Sequence, residues 1–141
     1  MSDKNPSSWK IVNAMMEKDA FSQWLGIEVV VVEKGYAKLK MRVNANMLNG
    51  FGIAHGGITY SLGDSALAFA SNGHGKMSVS TGTSIAHYQQ VQEGDTLTAE
   101  AKETNLGEKV AHYQISIKNQ DEEVVATFFG SVYRTSKDWE L

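Results

Sequence analysis

The sequence predicts an α+β domain, one largely antiparallel sheet curled round a single buried helix, with a shorter helix ahead of it. Three observations carry that prediction. Residues 37–43 alternate between apolar side chains (Ala37, Leu39, Met41, Val43) and basic ones (Lys38, Lys40, Arg42), the period of a half-buried strand. Residues 55–71 hold one carboxylate, Asp64, among Ile58, Tyr60, Leu62, Ala66, Leu67, Phe69 and Ala70, and a helix apolar nearly all round is a buried one. Four strand-like segments then follow, separated by Gly-, Asn- and Asp-containing turns.

In chain order, Ser7 or Ser8 caps a helix running to about Asp19, with Trp9, Val12, Met15 and Met16 on one stripe. Phe21 and Trp24 are expected to dock this segment onto the body. The run Val29–Val32 makes residues 25–33 a strand, Lys34-Gly35 a turn, and residues 36–43 the return strand of a hairpin. Residues 44–54 form a glycine-containing loop before the buried helix. After Asn72-Gly73-His74-Gly75, strands over 77–88, 96–103, 109–118 and 123–134 read as a meander, with Leu97, Ala99, Ala101, Ala111, Tyr113, Ile115 and Ile117 inward. Residues 1–141 form one domain without repeat or linker, loose at 1–7 and 136–141.

Composition bounds the function. The chain has 141 residues, 42% hydrophobic and 21% charged, ordinary for a globular domain. A net charge of −3 gives no basic field, so neither nucleic acid nor an anionic membrane is expected as a partner. There is no cysteine, which excludes thiol chemistry and fits a cytoplasmic setting. No apolar segment of signal-peptide or membrane-span length is present. His74, His87 and His112 show no metal-ligand spacing, so no metal site is expected. Gly50 to His55 lacks the last glycine of G-x-G-x-x-G, and no G-x-S-x-G is present.

The chemistry concentrates in residues 49–70. Gly56-Gly57 opens the buried helix, and the free N–H groups of a helix start attract negative charge. Asp64, a carboxylate in apolar company, is costly unless paired or used. Other readings of these residues stand beside the functional one. Asp64 caps a second helix starting at Ser65 with Gly63 as a break; the glycine pair is a tight loop; Asn49-Gly50 is a turn; His55 buttresses the helix start.

Leu48-Asn49-Gly50, His55-Gly56-Gly57, Asp64 and Gly94-Asp95, in this order of elements, resemble the PaaI-like acyl-CoA thioesterases of hotdog fold, in which a sheet wraps a long central helix. The resemblance spans about residues 21–134. It implies hydrolysis of an acyl-CoA thioester, with Asp64 as the catalytic carboxylate. The backbone N–H of Gly56, with Gly57, would polarise the thioester carbonyl, while Asn49 and His55 would shape the substrate site. It implies no cofactor beyond the coenzyme A of the substrate. In one stretch the chain departs from the family: His87-Tyr88-Gln89-Gln90 stands where an aromatic-Leu-Arg-Pro run is usual. Lys76, Lys109 and Arg134 are candidates for the CoA phosphates by charge alone.

Spacing adds a constraint. Gly57 and Asp64 share a helix face but lie ~10 Å apart along the axis, too far for both to reach one carbonyl. A second antiparallel helix could supply the missing half, with Gly57, Ser61, Gly63 and Ser65 allowing close approach. The expectation is a composite site in a homo-oligomer, a dimer or a dimer of dimers (a homotetramer). Two other functions fit the same residues: an acyl-thioester hydratase using His55 with Asp64, and a non-catalytic acyl-ligand binding module.

Overall fold

The computed structural model describes residues 6–141. Helix α1 (Ser8–Lys18) is capped by Ser7, whose hydroxyl accepts from the Lys10 N–H. A one-turn helix α2 (Ala20–Trp24) follows. Strands β1 (Glu28–Glu33) and β2 (Tyr36–Arg42) form the expected hairpin. A short 3-10 turn (Ala45–Met47) interrupts the loop to α3 (Gly56–Asn72). Strands β3 (Lys76–His87), β4 (Thr96–Leu106), β5 (Val110–Lys118) and β6 (Val124–Asp138) complete the fold.

All strand pairs are antiparallel, in the order β1-β2-β4-β5-β6-β3. This corrects the four-strand meander. Only β4, β5 and β6 are consecutive neighbours, while β3 crosses to the far edge and pairs with β6. The cause is α3. At ~1.5 Å per residue its 17 residues carry the chain about 26 Å across the concave face, so the next strand starts on the opposite side. β4 then returns to pair with β2. The helix packs against β2, β3, β4, β5 and β6, and the apolar rows read from sequence meet it there. Ala37, Leu39, Met41, Val43, Leu97, Ala99, Ala101, Ala111, Tyr113, Ile115 and Ile117 are all buried.

The N-terminal docking differs from expectation. Ile11 and Val12 are fully buried, but Phe21 and Trp24 stay 53% and 60% exposed, and Trp9 is exposed as well. Phe21 and Trp24 stack on each other instead, ring centroids 6.1 Å apart. The separate turn of α2, capped by Asp19, points both rings away from the sheet. The C-terminus is also more ordered than expected. β6 runs to Asp138, and Trp139 donates from its backbone N–H to Gly75 O and from Nε1 to Asn72 Oδ1. At the other end Ser7 caps α1, and residues 1–5 of the expected loose stretch lie outside the described residues.

Candidate active site

The loop before α3 is built on Asn49. Its Oδ1 accepts from the Phe51 N–H (2.9 Å), its backbone N–H donates to Ile53 O, and Leu48 bridges Ala54. This is the turn role, and it delivers the chain to the helix start. There His55 is the N-cap, its Nδ1 accepting from the Gly57 N–H at 2.9 Å. The Gly57 N–H is therefore already bonded within the chain. Among the described residues the Gly56 N–H has no acceptor, and Gly56 is exposed. Of the two donors expected at the helix start, one is open.

Gly63 does not break the helix, which runs unbroken from Gly56 to Asn72. A Cβ at Gly63 would lie 2.8 Å from the ring of Phe128, so glycine there is a packing requirement. Asp64 is consequently a mid-helix side chain and caps nothing. Gly57, Ser61, Asp64 and Ala68 make up a stripe that the sheet leaves only part covered, while Leu62, Gly63, Ser65 and Ala66 are buried. The Asp64 carboxylate takes neither a hydrogen bond nor a cation among the described residues. Burial pushes its pKa above the ordinary value, and the negative charge of Asp19 adds to the rise.

Asp19 is held close by α2. Its oxygens accept from the Ser22 N–H and from Ser22 Oγ, and Ser22 Oγ lies 2.8 Å from Ser65 Oγ. Because the Ser22 proton goes to Asp19, Ser65 donates to Ser22. Gly63 and Ser65 are thus occupied inside the protomer, contrary to their expected part in a helix-helix contact. Gly57 and Ser61 remain on the open stripe.

A cavity of about 360 Å³ opens at the helix start, lined by Asn49, Ile53, Ala54, Gly56, Thr59 and residues 87–91. The structure brings Asn49 and Gly56 together there, with His55 and Gly57 in the adjoining turn. Asp64 does not line it, being two turns further along the same helix. Thr59 and His87 are residues that sequence reasoning passed over: Thr59 Oγ1 lies 2.6 Å from His87 Nε2 and 3.0 Å from Gly56 O. They are 28 positions apart, and only the placement of β3 along α3 joins them. The cations proposed for phosphates are elsewhere. Lys76 pairs with Asp138, Arg134 donates to Gly107 O, and neither they nor Lys109 line the cavity. Among the described residues no three His, Cys, Asp or Glu side chains gather as a metal site. Among the described residues no helix is long and apolar enough to cross a membrane.

With this geometry in hand, comparison with known proteins is decisive. Residues 51–126, from the loop before α3 through β3, β4 and β5 into the start of β6, match the Thioesterase superfamily. This chain is a PaaI-like member of the thioesterase superfamily. It is 39% identical over 127 residues to the acyl-coenzyme A thioesterase PaaI of Escherichia coli K12, covering 90% of this chain and 91% of that protein. The solved E. coli PaaI structure superposes with a TM-score of 0.92 at 36% identity, over 96% of this chain and 99% of that one. A Streptococcus mutans UA159 protein solved with acetyl CoA is 26% identical, with a TM-score of 0.77 over 80% of this chain and 91% of that one. The hotdog architecture expected from the motif order is the one observed.

Proposed function

We propose that this PaaI-like thioesterase hydrolyses an acyl-CoA to the free acid and coenzyme A, at sites built from two copies of the chain and with no further cofactor. The observation that carries the reading is Asp64, an unpaired carboxylate on the open stripe of a helix whose first N–H is unsatisfied. In the proposed reaction the Gly56 N–H receives the thioester oxygen as the carbon becomes tetrahedral. Loss of one such donor typically costs roughly 3–4 kcal/mol of barrier. Asp64 either takes a proton from a water that attacks the carbonyl carbon and passes it to the leaving thiolate, or attacks that carbon itself, expelling the thiolate, which takes a proton from solvent, and forming a mixed anhydride that water then hydrolyses to the free acid. Gly57 supports the site indirectly: bonded by His55, it fixes the turn that aims Gly56 outward.

Gly56 and Asp64 of one chain are eight residues, ~12 Å, apart along the helix axis, so a second copy is needed. Strand β3 supplies a route. It is an edge strand of 12 residues with β6 on one side, and its other edge presents free backbone groups. Antiparallel pairing of β3 with its counterpart would join the sheets and set the two open stripes face to face, giving two equivalent sites. The assembly is then a dimer or a dimer of dimers, and the same reading places it in the cytoplasm with its substrate.

The hydratase alternative needs a free imidazole beside Asp64. His55 Nδ1 is taken up as the helix cap, which disfavours it. A panel of aryl-, short- and medium-chain acyl-CoAs, followed by free-thiol release on purified protein, tests the proposal. Thiol release that depends on Asp64 supports it. Hydration without thiol release, or tight binding without turnover, would replace it with one of the other two functions.

A further inference from the structure

We infer that His87 is a positioning residue of the oxyanion end: through Thr59 it fixes the first turn of α3 and so the aim of the Gly56 N–H. The inference rests on the thioesterase reading and deepens it. Three contacts support it. A Cβ on Gly56 would stand 3.4 Å from His87 Cε1 and 3.8 Å from Nε2, so the imidazole lies directly against the residue that carries the open donor. Thr59, nearly fully buried, has its Oγ1 3.0 Å from Gly56 O and 2.6 Å from His87 Nε2.

A hydroxyl has one proton to give. Gly56 O can only accept, so Thr59 donates to it, and His87 Nε2 must carry its own proton and donate to Thr59. The chain of bonds therefore runs from the β3 imidazole through Thr59 to the first carbonyl of α3, and it holds the turn that carries the open Gly56 N–H.

The test is kcat and KM for the wild type, His87→Gln and His87→Phe with one acyl-CoA. Glutamine keeps a donor for Thr59; phenylalanine removes it. His87→Phe should lose about fivefold in kcat with KM little changed, and His87→Gln should run near the wild type. His87 is exposed on an edge strand, and circular dichroism confirms that each variant is folded. An active enzyme in which His87→Phe keeps the wild-type kcat, or in which His87→Gln loses as much as His87→Phe, overturns this inference alone. A wild type that hydrolyses no thioester overturns the parent reading and this one with it.

Discussion

The proposed two-copy site makes a quantitative prediction about mixed assemblies. Asp64→Asn removes the carboxylate and leaves the Gly56 N–H. Gly56→Pro does the reverse, because proline lacks an N–H yet is favoured at the first position of a helix. A substituent there meets His87 only at 3.4 Å, an ordinary contact, so the helix start should survive. Each variant alone should lose at least about 100-fold in hydrolysis. In a dimer of one Asp64→Asn chain and one Gly56→Pro chain, one site receives an intact donor and an intact carboxylate, and the other receives neither. Random pairing of equal amounts makes about half the dimers mixed, so the mixture should recover about one quarter of wild-type activity per chain. Isolated mixed dimers should reach about one half. The two chains, carrying different affinity tags, are refolded together, purified through both tags and assayed by thiol release. Mixed dimers that form but remain as inactive as their parents would place both groups' work within one chain and refute the argument.

Two further outcomes follow from packing and charge. Because the pKa of Asp64 is raised above its ordinary value of 3.8, the folded protein holds a proton that the unfolded chain releases. Stability therefore declines as pH rises from the ordinary value through the raised one. Asp64→Asn removes that decline, so the variant should melt at a higher temperature than the wild type at neutral pH, and the gain should vanish below the ordinary value. Thermal melts across pH check this; a variant less stable at neutral pH contradicts it. Gly63→Ala pushes a methyl to 2.8 Å from the fully buried Phe128, whose ring is locked edge-on against Tyr60 at 5.2 Å. Overpacking of about 1–3 kcal/mol should outweigh a helix-propensity gain of about 1 kcal/mol. Urea unfolding that shows Gly63→Ala more stable than wild type would mean that Phe128 yields.

The sequence disclosed what depends on period and local chemistry. Strict alternation in residues 37–43 and 111–117 assigned the inward face of β2 and β5 residue by residue, because a strand buried on one side has no other way to arrange it. His55-Gly56-Gly57 and Asp64 marked the helix start and its carboxylate for the same local reason. Pairing between distant strands left no such trace. The position of β3 beside β6 is set by the length of α3, and with it the contact of His87 with Thr59 and Gly56. Competition for one proton or one acceptor was equally hidden: that His55 takes the Gly57 N–H, and that Ser65 is spent on Ser22, depends on rotamers and distances. Trp9, Phe21 and Trp24 misled because large aromatic rings usually indicate burial, and here a single capped turn at Asp19 directs two of them outward.

Helix α3 is held unequally at its two ends. At the far end Asn72 bonds Ala68 O, Ser78 and Trp139 at once, Ser8 holds Gly73 O, and the Gly35 N–H closes on Ala70 O. At the N-terminal end the ties are the His55 cap on the Gly57 N–H, the Ser61 hydroxyl on Gly57 O, the Thr59 bridge to His87 and the Tyr60–Thr83 contact. Thermal opening will therefore begin at Gly56 and stop well short of Asn72, so amide hydrogens should exchange along the rod in graded order.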